Sequence, residues 1–174
     1  MFEPNIYIKR RKHLAREIGD GLIVLIGNKP VPMNYPSNTL RFRQDSNFLY
    51  YCGLDYENLV LTIDCASEKS TLYGDDLTVD EIVWEGQRTS IKTMAELSGI
   101  DRFETTSKLQ GDIIRSNDIH TLPVYREDQK YFLQFLLNNS DISSSKPLVA
   151  CVIKQRSIKS VSYTHLTLPT KCSV

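Results

Sequence analysis

Nothing in this sequence pulls on a charged partner. Lysine plus arginine number 21, and so do aspartate plus glutamate, in a chain of 174 residues. With no net field, nucleic acid and anionic membrane surfaces are not expected partners. Long hydrophobic runs are missing too. The longest, such as residues 21–27, fall far short of the ~20 apolar residues that a bilayer-crossing helix needs. The basic cluster near the start lies in a polar segment with no apolar stretch behind it, so no signal peptide is readable. Cysteine numbers 4 (Cys52, Cys65, Cys151 and Cys172), without CxxC pairing or zinc-finger spacing. Such cysteines read as reduced, inert thiols in a cytoplasmic protein. What is present, 41% apolar and 24% charged residues, describes an ordinary soluble protein. One domain of this length buries about 70% of its extended surface.

The stretch that organises the chain is residues 41–64, RFRQDSNFLYYCGLDYENLVLTID. Asp45-Ser46 suits a helix N-cap, because a short side-chain oxygen can accept from unpaired backbone N–H groups. Phe48, Leu49, Tyr51 and Cys52 then give one apolar helix face. Gly53 stands where a left-handed residue would end the helix without a Cβ clash. Residues 59–63 read as a buried strand. Asp45 is expected as a cap joined to Arg43 by a local salt bridge rather than as a metal ligand, and Gln44 as a partner for loop backbone.

Upstream, Pro4 at a first turn opens an amphipathic helix over 4–18. Its Ile8, Leu14, Ala15 and Ile18 lie opposite a basic face of Lys9, Arg10, Lys12 and Arg16. Residues 22–26 form a β-branched run typical of a strand covered on both faces. Residues 28–39 hold three prolines and must be an irregular loop. Downstream, residues 70–73 read as a strand, and Asp75-Asp76 as a solvated acidic turn with no histidine nearby. Thr78 and Glu81 make a capping box for a helix over 78–87 that carries the sole tryptophan, Trp84. Its plain reading is a partly buried ring closing one side of the core. Helices follow at 90–99 (Ile91, Met94, Ala95 and Leu97 inward), 107–115 (Leu109, Ile113 and Ile114 inward) and 128–138. Tyr131, Phe132, Phe135 and Leu136 form an aromatic core face on the last of these. Strands are expected near 101–104 and 119–124, with His120 a satisfied group inside the second. Strands alternating with helices imply an α/β fold, a mixed sheet flanked by helices.

Three segments, in order, carry a family resemblance: YIKRRKHLAREIGDGLIVLIGN (7–28), the organising stretch with its FRQDSNFLYYCGL, and DEIVWEGQRTS (80–90). Together they resemble the N-terminal domain of aminopeptidase P (Xaa-Pro aminopeptidase), of the creatinase/prolidase group, across residues 4–160. The RQDS and WEGQR pair favours the aminopeptidase P branch. The resemblance implies a ribonuclease-H-like arrangement of strands. It makes Arg43, Asp45, Ser46, Gly53 and Gly86 structural motif positions. It also matches the family's WxGxR at Trp84, Gly86 and Arg88, where the tryptophan of oligomeric members lies at a subunit contact and lends an edge to a neighbour's cleft.

The intact enzymes of that family add a catalytic domain that holds two manganese ions through aspartates, glutamates and a histidine. They release the N-terminal residue before proline and are homo-oligomers. None of those ligand motifs is present here. The expectation is therefore a non-catalytic domain, with no metal or catalytic residue of its own, inactive alone and separated from its catalytic partner. After residues 153–160 the resemblance stops, and residues 161–174 resemble a translated sequencing adapter, so Thr164, His165 and Cys172 are set aside. The alternatives are a stand-alone binding or oligomerisation module, and a nuclease using Asp45, Asp64 and Asp75.

Overall fold

The computed structural model describes residues 2–35, 37–116, 118–138 and 144–157. The 161–174 segment and the last residues of the junction, 158–160, lie outside the described residues. The elements run α1 (Pro4–Ile18), β1 (Leu22–Ile26), α2 (Ser46–Cys52), β2 (Val60–Asp64), β3 (Lys69–Tyr73), α3 (Val79–Glu85), α4 (Ile91–Ser98), β4 (Arg102–Glu104), α5 (Thr106–Ile114), β5 (Ile119–Thr121), α6 (Glu127–Leu136) and α7 (Lys146–Ser157).

β1, β2 and β3 form an antiparallel meander, with Leu22 opposite Asp64 and Val60 opposite Tyr73. β4 joins β3 and β5 joins β1, both in parallel, giving the order β4-β3-β2-β1-β5. Every strand except β2 therefore points the same way, and their carboxyl ends share one edge of the sheet. Side chains of a strand alternate between faces. Ile23, Leu25, Leu61, Ile63 and Leu72 accordingly meet α1, α2, α4 and α7 through Leu14, Phe48, Met94 and Leu148. Val24, Val60 and Tyr73 face the other way, under Leu109 and Ile113 of α5 and Leu136 of α6. The fold is a mixed sheet between two helical layers.

The helix ends follow their local chemistry. Thr78 and Glu81 close a reciprocal capping box on α3, Ser90 caps α4, and Gly53 and Gly99 end α2 and α4 in the left-handed region at φ 70° and 60°.

Helix rotation departs from expectation in three places. On α6, Gln129, Leu133 and Leu136 are buried, while Tyr131 and Phe135 are 70% and 61% exposed. The Gln129 amide donates to Asn28 Oδ1 at 2.9 Å and toward Gly27 O at 3.4 Å. That anchor sets the phase, so positions i, i+4 and i+7 turn inward and most of the aromatic stripe turns out. On α5 Ile114 is exposed, and on α4 Leu97 is exposed while Ser98 is buried. The helix α7 is an addition to the expected set, and it packs on α1 and α2.

Candidate functional site

The loops at the carboxyl end of the sheet are tied together by one buried amide. Gln44 Oε1 accepts from the backbone N–H groups of Asn28 (2.6 Å) and Asp45 (2.8 Å), and its Nε2 donates to Tyr56 O at 2.6 Å. Three chain segments thus meet on a side chain that is 3% exposed. Beside it, Asp45 Oδ1 accepts from Asn47 N and Phe48 N at 2.8 and 2.9 Å and caps α2.

The expected Arg43–Asp45 salt bridge does not form among the described residues. Arg43 points to solvent, and only its carbonyl is engaged, by Asn28 Nδ2 at 2.8 Å. The helix amides take the oxygen that the guanidinium would have used. Ser46 instead accepts from Arg156 Nη1 at 3.3 Å, joining α7 to the start of α2. Gly53 is fixed by space as well as by φ, since a Cβ there would meet Tyr7 Oη at 2.1 Å.

Trp84 stands apart from the core. It is 88% exposed, on a seven-residue helix whose Val79 and Val83 are 78% and 74% exposed. A ring closing the core is thereby corrected. α3 leaves the carboxyl end of β3 as an arm, and Val79, Ile82, Val83 and Trp84 on it are all exposed among the described residues. Gly86 ends it at φ 84°, in open space. The return of the arm is anchored. Arg88 Nη1 lies 3.1 Å from Glu57 Oε1, and Thr89 Oγ1 lies 3.1 Å from Tyr56 Oη. Arg88 also lines a hollow of roughly 220 Å³ with Glu57, Asp76 and Met94.

The remaining candidates do not assemble into a metal or nuclease centre. Asp75 Oδ1 accepts from Thr106 N at 3.1 Å and Asp76 Oδ1 from Ile91 N at 2.8 Å. The acidic turn is therefore more than solvated, since it pins the starts of α5 and α4. Asp64 pairs with Lys69 at one end of the β2–β3 hairpin, whereas Asp75 follows Tyr73 at the other, so the trio with Asp45 cannot converge. Among the described residues no three His, Cys, Asp or Glu side chains come together as a metal site. His120 Nδ1 meets Ser145 Oγ at 2.8 Å and Nε2 meets Asp20 O at 3.1 Å, which satisfies the ring. Burial pushes the Cys52 thiol up to about 12 and Cys65 to about 11, and raises Cys151, which suits inert thiols.

One central residue has no signal in the hydrophobic pattern. Arg11, on α1, is 2% exposed. Its guanidinium donates to Tyr51 O (2.8 Å), Ser98 Oγ (3.3 Å), Ser98 O (3.1 Å) and Gly99 O. It thus serves the carbonyl ends of α2 and α4 together. A basic run on an amphipathic helix looks solvent-facing, and only the meeting of two helix C-termini, where cations are favoured, would have marked it.

A three-strand meander with parallel strands added at both edges, a capped RQDS helix and a projecting WxGxR arm together define a mixed-sheet α/β domain. The chain matches the family of the aminopeptidase P N-terminal domain over residues 7–121 and belongs to it. It is 29% identical to a probable Xaa-Pro aminopeptidase of Talaromyces stipitatus over 150 residues, covering 82% of this chain and 28% of that protein. A probable Xaa-Pro aminopeptidase of Paracoccidioides brasiliensis is 34% identical over 95 residues, 55% of this chain and 19% of its own. Among solved structures, E. coli aminopeptidase P in its low-pH form shares the fold with a TM-score of 0.65 at 16% identity, over 80% of this chain and 32% of that one. The same enzyme with the inhibitor Pro-Leu gives 0.67. The chain spans less than a third of the length of these relatives.

Proposed function

We propose that this domain is the non-catalytic N-terminal part of a cytoplasmic Xaa-Pro aminopeptidase. The observation that carries the reading is the match to the N-terminal domain family over 7–121 in a chain that spans only 28% of a similar aminopeptidase. The complete protein would hold a manganese pair in its other part and remove the residue preceding proline. Such a bond is unusual because the proline nitrogen has no N–H. Bound metals of that kind activate a water and stabilise the charge that develops on the carbonyl.

This chain contributes walls, not chemistry. Trp84 and Arg88 are assigned to an edge that meets a second subunit and borders its cleft. A large aromatic ring exposed to 88% on a short arm fits an interface anchor, since tryptophan and arginine are enriched there. The capping box and the Arg88–Glu57 pair hold both ends of that arm.

The test is an assay of the 174-residue chain with manganese and an Xaa-Pro peptide. No turnover is expected, and hydrolysis at an enzyme's rate with stoichiometric manganese uptake would overturn the reading. The exposed arm also suits a stand-alone oligomerisation module. A reading frame that continues into a domain bearing the metal ligands excludes that alternative.

A further inference from the structure

The exposed arm accounts for one side of the sheet's carboxyl end; a second surface there has no assigned role. Two hollows of roughly 210 and 430 Å³ share Asn28, Asp45 and Arg126 as lining residues, so they adjoin and are taken together as one crevice. Its floor is the end of β1, its walls the proline-rich loop before α2 and the 122–126 segment after β5. The rim is apolar and basic. Tyr125 is 87% exposed, Leu40 51% and Val31 38%. Arg41 and Arg43 are exposed and line the same hollow as Val31 and Leu40, and they form no ion pair among the described residues. Arg126 is held at the centre by Asp128 at 2.7 Å.

Ligand and partner sites of open α/β sheets lie outside the carboxyl ends of their strands. Here the last described helix points to the occupant. α7 finishes at Ser157, and its Arg156 bonds Ser46 Oγ at 3.3 Å and Asn47 Oδ1. Tyr50 Oη donates to Gln155 O at 3.2 Å, fixing that last turn on α2. Asp45, Ser46 and Asn47 all line the crevice. Polypeptide leaving α7 therefore starts at the crevice mouth.

We infer that this crevice is the seat of the polypeptide that follows the domain in the full-length protein, which meets it through an acidic face bearing apolar side chains. The inference rests on the reading under Proposed function, in which such a part exists. Arg41 and Arg43 gain carboxylate partners on docking, and Tyr125, Leu40 and Val31 are covered. Exposed aromatic and arginine side chains on one crevice are the composition of an interface centre. The aromatic pair on α6, Tyr131 and Phe135, is also exposed. It lies on α6, in the helical layer across the sheet from α7, so it stays uncovered.

The experiment recovers the reading frame downstream and compares hydrogen exchange in the full-length protein with the 174-residue chain. Amides in 28–46 and 122–126 are expected to exchange at least about tenfold more slowly in the full-length protein, with those of α5 unchanged. A full-length double variant, Arg43→Glu with Tyr125→Ser, restores fast exchange there, whereas Tyr131→Ser does not. Crevice amides that exchange within about twofold of the isolated chain, beside an intact second domain, overturn this inference and leave the proposed function standing. A reading frame without a second domain overturns both.

Discussion

Replacing Arg11 with methionine tests the account of the core most severely. The guanidinium is 2% exposed, and burial pulls its pKa down to about 10, well below the ordinary guanidinium value. At about 1.4 kcal/mol for each factor of ten in the acid constant, holding this charge inside costs about 3 kcal/mol. Against that, it satisfies the carbonyls of Tyr51, Ser98 and Gly99, where α2 and α4 end. A buried carbonyl left without a donor costs about 1–3 kcal/mol, so stranding these would cost about 6 kcal/mol. Arg11→Met removes both contributions, and the net loss is about 3 kcal/mol. In a chain of this size that lowers the melting temperature by roughly 6–12 °C, readable by calorimetry or urea titration.

The pH dependence has a definite sign. A base whose folded pKa is depressed carries its full cost below that pKa, and the cost is relieved only as pH rises above about 10 toward the ordinary guanidinium value. The gap between parent and variant should thus be constant between about pH 6 and 9. Arg10→Met provides the contrast. Arg10 also donates to a backbone carbonyl, Tyr50 O at 2.8 Å, and lies over the Tyr50 ring at 3.9 Å, but it is less buried and serves one carbonyl. A loss under about 1 kcal/mol is expected there. Arg11→Met within about 0.5 kcal/mol of the parent would refute the reasoning.

Trp84 is the sole tryptophan, so fluorescence excited selectively at the indole reports on it alone. Emission of the dilute monomer should match solvated indole with full acrylamide quenching, and Trp84→Ala should change stability by less than about 0.5 kcal/mol; a blue-shifted, protected spectrum of the monomer would contradict the exposed arm. Gly53→Ala places a Cβ at 2.1 Å from Tyr7 Oη on a residue at φ 70°, and urea unfolding should show a loss of about 3 kcal/mol from overpacking and strain together. Native Cys52 and Cys65, with pKa values of about 12 and 11, should resist a thiol reagent at pH 8 and react at once in denaturant, followed residue by residue by peptide mass mapping.

Local chemistry decided by a few neighbouring residues was legible in the sequence. A capping aspartate, a Thr78–Glu81 box or a terminal glycine acts within one helical turn, so these features need no knowledge of the rest of the fold. A β-branched run such as residues 22–26 likewise fits a strand in any context that covers both of its faces. The alternation of strands and helices gave the layer class for the same reason, and the order of the RQDS and WEGQR segments pointed to the family.

Three-dimensional neighbours decided the rest. Whether a helix turns its leucines or its aromatics inward depends on one anchor, as with Gln129 reaching Asn28 across the end of β1. Whether a lone tryptophan is core or surface depends on whether another element packs over it, and among the described residues Trp84 is left exposed. Whether an arginine in a basic run is a solvated charge or the hub of the core depends on helix ends 40 and 87 residues away. Periodicity registers a side chain's own helix, but burial is a property of what arrives from elsewhere in the chain, and that is settled only when the layers close.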